Sequence, residues 1–159
     1  MSETVISRRR VLQGAGIAGA ASLVALTPTV ARADTEGSLV GTWRGTGSAT
    51  GIPTFGVLIA FNAGGTLVSS ASIDFESDFL STPSYGAWKR TGDGRYAIKF
   101  EFFTAGAGGT PTGSGAVRGT FTVDDDRLHG PVTVTILDLS GKKVFSTPGS
   151  ISAHRIEVD

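Results

Sequence analysis

From residue 39 onward, apolar and polar positions alternate with a period of two. Tyr96, Ile98, Phe100 and Phe102 face one way while Arg95, Lys99 and Glu101 face the other. Leu128, Val132, Val134 and Ile136 alternate in the same manner with His129, Thr133 and Thr135, and Val117, Phe121 and Val123 with Arg118, Thr120 and Thr122. Successive side chains of an extended chain point to opposite faces, so each run predicts a strand with one buried face and one wet face. Strands are expected at Leu39–Gly47, Phe55–Asn62, Thr66–Ile73, Ser84–Thr91, Arg95–Thr104, Gly115–Val123, Leu128–Leu137, Lys142–Ser146 and Ser150–Val158. Between them, Asn62-Ala63-Gly64-Gly65, Gly92-Asp93-Gly94, Asp124-Asp125-Asp126 and Leu139-Ser140-Gly141 supply residues that accept positive φ or bond their own backbone, as tight reversals require. No stretch has the three-to-four spacing of an amphipathic helix. Sequential hairpins predict an all-β, up-and-down antiparallel barrel of about eight to nine strands, because closure removes the open edges of so long a meander; a two-sheet sandwich is the alternative. The run Phe55-Gly56-Val57-Leu58-Ile59-Ala60-Phe61 is apolar on both faces, which predicts cover by a loop or a partner subunit. Two longer connections, Asp74 to Pro83 and the Gly/Thr/Pro-rich Ala105 to Gly113, are expected as loops near a barrel mouth.

The first residues follow another pattern. Ser7-Arg8-Arg9-Arg10 precedes a soft apolar run from Val11 to about Val30, and Ala31-Arg32-Ala33 places small residues where a signal peptidase reads. This is the layout of a secretory signal, cut before Asp34. The paired arginines followed by an apolar pair resemble the twin-arginine class of bacterial signal, with Val11 and Gln13 where that class more often has Phe and Lys. The resemblance implies export of an already folded protein to an extracytoplasmic or secreted location. An Ala/Gly-rich run is weakly apolar for a span, so no stable membrane span is expected after cleavage. The division is then residues 1–33 as signal and 34–159 as one domain.

Composition narrows the chemistry. The chain has no cysteine, which excludes disulfides, thiolate metal sites and cysteine nucleophiles. The expected mature chain carries ten basic against thirteen acidic residues and no basic stripe, so nucleic acid is not expected as a partner. No Gly-x-Ser-x-Gly elbow occurs, and Ala105-Gly106-Ala107-Gly108-Gly109 is not followed by the lysine of a phosphate loop. Asp74, Glu76 and Asp78 would share a face of an extended segment, but neither they nor Asp124-Asp125-Asp126 have the spacing of a calcium loop. Two histidines, His129 and His154, lack a third ligand at zinc spacing. Neither a metal nor a cofactor is expected.

Gly41-Thr42-Trp43 near the start of the first strand, with Arg155 near the end of the last, resembles the calycin superfamily, of which lipocalins are the best-known members. The resemblance implies a barrel closed at one end by the indole, with the guanidinium packed over it, and a small molecule held in the lumen. The chain departs from many lipocalins in lacking disulfides and the helix before the last strand. Phe55 to Asn62, and Thr112 to Thr120, also look like strands of the allene oxide cyclase and dirigent barrels, which implies a shaped apolar cavity that steers cyclisation or coupling.

The inward aromatic set, Trp88, Tyr96, Phe100 and Phe102 with Phe61 and Phe121, either fills the lumen or lines a ligand cavity. The expected ligand-binding residues are Tyr96, Phe100, Phe102, Arg118 and His129, and the expected partner is a small apolar or amphipathic molecule. No catalytic residue is identified. Two further functions remain open: a cofactor-free cyclase or isomerase in which Tyr96, Arg118 or His129 orients the substrate, and an interaction module that forms a homo-oligomer through Phe55–Phe61.

Overall fold

The alternating segments become ten strands within residues 38–76 and 79–158, which the computed structural model describes; the expected export signal lies outside the described residues. In chain order they are β1 (Gly41–Ala49), β2 (Ile52–Phe61), β3 (Thr66–Ala71), β4 (Phe75–Glu76), β5 (Phe79–Ser81), β6 (Ser84–Gly92), β7 (Arg95–Ala105), β8 (Pro111–Asp124), β9 (Arg127–Asp138) and β10 (Lys143–Arg155). Every pairing is antiparallel. The eight longer strands run in the order β1-β2-β3-β6-β7-β8-β9-β10, and β10 pairs back onto β1 to close an up-and-down barrel. The short β4–β5 hairpin stands outside this ring and joins β7 through Leu80 and Ser81.

The tight turns hold their expected places. Gly65, Gly94 and Gly141 all have positive φ, and Asp125 is, among the described residues, the one non-glycine with positive φ, at 52°. Aspartate tolerates that left-handed conformation better than most residues because its short side chain bonds locally.

Four expectations change in detail. Lys142–Ser146 and Ser150–Val158, read as two strands around Thr147-Pro148-Gly149, are one strand of 13 residues. Pro148 has no N–H to give, but its carbonyl accepts from Thr50 N–H at 3.2 Å and the Thr147 hydroxyl donates to the Thr50 carbonyl at 3.1 Å, so the ladder passes through it. The connection Asp74 to Pro83 contains the β4–β5 hairpin. The connection Ala105 to Gly113 shrinks to residues 106–110, because β8 begins at Pro111 and pairs with Ala105. Among the described residues no loop covers the doubly apolar strand: Phe55, Val57, Ile59 and Phe61 point inward, while Leu58 is left 49% exposed on the outer wall.

Candidate ligand cavity

Trp43 and Arg155 are direct partners across β1 and β10, on the inward face. The Trp43 ring is fully buried, its Nε1–H donates to the Leu39 carbonyl at 2.9 Å, and the Arg155 guanidinium lies 4.3 Å from the ring centroid. Arg155 also donates to the Val40 carbonyl at 2.7 Å and to the Ser38 carbonyl at 2.5 Å. A planar cation that stacks on an aromatic and forks to two carbonyls suits arginine and not lysine. Gly41 is required beside it: its φ is +134°, and a Cβ there would lie 2.5 Å from Arg155 Nη1. The two short sequence motifs thus meet as a plug at one end of the barrel.

Aromatic edges fill the space behind this plug. Phe61 packs edge-on against both Trp88 and Phe121, with centroids 6.5 and 6.3 Å apart, and Trp88 packs against Tyr96 at 5.6 Å. Leu39, Leu67, Val123 and Leu128 complete a buried layer without polar side chains. Three members of the inward aromatic set, Phe61, Tyr96 and Phe121, are therefore core, and half-buried Trp88 packs against them.

Toward the opposite end serine, alanine and valine stand among the inward aromatic side chains, and a cavity of about 370 Å³ is left. Strands β7 to β9 line it with Phe100, Phe102, Val117, Val132, Val134 and Ile136, and β2, β3 and β10 with Phe55, Val57, Ala71 and Ile151. Ile73, Asp74 and Phe79 stand at its mouth, with Phe145 from β10. Glycine shapes the wall: a Cβ at Gly115 would collide with the Phe102 ring, so the bare backbone there lets the ring approach β8 closely. A second hollow of about 470 Å³, bounded by Leu80, Phe103, Pro111 and Leu139, is a more open depression outside the ring of strands.

The cavity is weakly polar and one-sided in charge. Among the described residues no lysine, arginine or histidine lines it; the polar ones that do are Ser48, Ser69, Ser84, Ser150 and Asp74. Asp74 ends the turn after β3, where one carboxylate oxygen accepts from Ala71 N–H at 2.7 Å and the other from the Ser81 hydroxyl at 2.5 Å. The Ser72 hydroxyl accepts from Gly56 N–H at 2.9 Å and ties the same turn to β2. Asp74 thus fastens the hairpin at the mouth. Of the other acids considered with it, Asp78 lies outside the described residues, and no group of three metal-ligating side chains occurs among those described.

Of the five residues expected from the sequence to contact a ligand, Phe100 and Phe102 line the cavity. Tyr96 lies on the same face of β7 but packs against Trp88 in the filled half. Arg118 and His129 are exposed on the outer wall, as their places opposite Val117 and Leu128 dictate. Sequence reasoning missed Ser69 and Ser84. They are Cα partners across β3 and β6, both inward, only 6% and 7% exposed. Neither hydroxyl has a hydrogen-bond partner among the described residues, and neither is a fully enclosed orphan, so both open onto the cavity. Their signal was present in the pattern: Ser69 falls between Leu67 and Ala71, and Ser84 two residues before Gly86, on inward positions.

No protein-family model matches the chain, and no curated protein is significantly similar to it.

Proposed function

We propose that the protein binds one small, largely apolar molecule in the open half of the barrel, without covalent chemistry. The observation that carries this reading is the cavity of about 370 Å³, walled by aliphatic and aromatic side chains, in a barrel whose other half is solidly filled. Its size falls within the range of small-molecule pockets, and eight strands enclose just enough room for one ligand. The likeness of Gly41-Thr42-Trp43 and Arg155 to calycins supports the same reading. Binding of the neutral fluorophore N-phenyl-1-naphthylamine tests it. Fluorescence should rise with the wild-type protein and fall to background in Ala71→Phe, which fills the cavity; an equal rise in both proteins, each confirmed as folded by circular dichroism, would sink the proposal.

Export belongs to this proposal and rests on the arginine pair and the apolar run that follows it. In a bacterial host, replacing Arg8 and Arg9 together with lysine should leave the protein in the cytoplasm; unchanged export would remove the twin-arginine assignment.

A cyclase that acts through cavity shape would use the same space, but Arg118 and His129, expected to orient its substrate, face the solvent. A second reading rests on the outer wall. Ala60, Val68 and Tyr85 form one cross-strand row beside Leu58, with Val68 37% and Tyr85 64% exposed. Exposed apolar rows of this kind serve as subunit contacts. Light scattering tests it, and a strict monomer at all concentrations would count against it.

A further inference from the structure

Building on the ligand-binding reading, we propose that the cavity selects uncharged amphiphiles whose single polar head is a hydroxyl or amide, clasped by Ser69 and Ser84, and rejects carboxylates. Directly opposed residues on neighbouring antiparallel strands have Cβ atoms about 4.5–5.5 Å apart. Two serine hydroxyls at that spacing can meet one ligand head, one donating and the other accepting. A ligand hydroxyl or amide offers both capacities and so satisfies both serines, which are more than nine-tenths buried and have no hydrogen-bond partner among the described residues. The rest of such a molecule lies against Phe100, Phe102 and Val117.

A fatty-acid anion meets the opposite situation. It gives up its hydration on entry, and no cationic side chain among the described residues lines the cavity to compensate. Among the described residues, the one charged group that lines it is the Asp74 carboxylate at the mouth, which repels a second anion. Arg118 points away on the outer wall, out of reach of an acid in the cavity.

The test is displacement of N-phenyl-1-naphthylamine from the purified protein at pH 8 by three ligands of equal chain length: 1-decanol, decanamide and decanoate. The alcohol and the amide should displace the fluorophore at concentrations at least about tenfold below decanoate. In the double variant Ser69→Ala/Ser84→Ala, the decanol concentration needed should rise about five- to tenfold, more than affinity for the fluorophore falls, because its lone N–H offers the serines a donor and no matching acceptor. Asp74→Asn retains an acceptor for Ala71 N–H and should narrow the gap between decanoate and decanol several-fold. Decanoate competing as well as decanol, or serine variants that weaken fluorophore and decanol alike, would overturn the head-group assignment. Were the fluorophore and all three ligands to fail to bind, the ligand-binding reading itself would fall; were all to bind with equal strength, only the selection would.

Discussion

One end of this barrel is solid and the other hollow, although the same eight strands with the same alternation build both. At the solid end Phe61, Trp88, Tyr96 and Phe121 interlock edge to face, and the Arg155 guanidinium covers the buried Trp43 ring. At the hollow end serines and Ala71 stand among the phenylalanines, isoleucines and valines of the wall, and the Phe102 ring occupies the place of the side chain that Gly115 lacks. An eight-stranded barrel is close to the width at which side chains just meet across the axis. Side-chain volume at each level therefore decides whether that level is core or cavity. The filled end supplies the packing that holds the strands, and the open end is free to carry a ligand.

The difference should appear first in stability. Trp43→Ala removes the largest fully buried ring and should cost about 3–5 kcal/mol in chemical denaturation, whereas Val134→Ala on the cavity wall should cost about 1 kcal/mol. Equal costs would mean that the two ends do not divide the labour as their packing suggests. Within the plug, Gly41→Ala forces a side chain into a φ of +134° and against the guanidinium, an expected loss of about 1–3 kcal/mol by the same measurement. Arg155→Lys keeps the charge but loses the fork to the Val40 and Ser38 carbonyls, with an expected loss of about 1–2 kcal/mol; a neutral result would reduce the arginine to a surface ornament.

The smallest effect concerns acid and the open end. In the β9–β10 turn, Asp138 accepts from the Ser140 hydroxyl at 2.6 Å and from the Lys142 and Ser140 N–H groups at 3.0 and 2.9 Å. The Ser140 hydroxyl, then the Lys142 N–H, hold its carboxyl below the usual carboxylate range. The Lys99 ammonium, bonded at 2.5 Å, does the same for Glu101 on the outer wall. A carboxyl depressed on folding stabilises the fold above its unfolded value, about 4, and that contribution disappears as pH falls through the lower folded value. Acidification below about pH 4 should therefore loosen the Asp138 turn, with faster amide exchange at Ser140 and Lys142 while the Trp43 plug keeps its protection. Asp138→Asn should flatten the response, and an unchanged acid profile in that variant would exclude the turn as its source.

Much of the architecture was legible because its signals are local. Period-two alternation identified the inward residues of β7, β8 and β9, and the four turns fell where glycine and aspartate permit reversal. The strand break read at Thr147-Pro148-Gly149 failed because a proline ends a strand only where its missing N–H is needed. Here neighbouring Thr50 takes up the Pro148 carbonyl instead.

The chain alone thus determined an all-β meander, the faces of its strands and the identity of the groups at the plug. Only the closed structure decided which inward residues share a level. Strand stagger sets this: the cross-strand row from Trp43 passes through Ile59, Ser69 and Ser84, continues by way of Phe102, Gly115 and Ile136, and returns to β10 at Phe145 instead of Arg155. That stagger separates Tyr96 from Phe102 along one face of β7, placing the first in the filled half and the second on the cavity. Alternation along a strand carries no information about height along the barrel axis, because height depends on how every other strand is displaced as the sheet closes on itself.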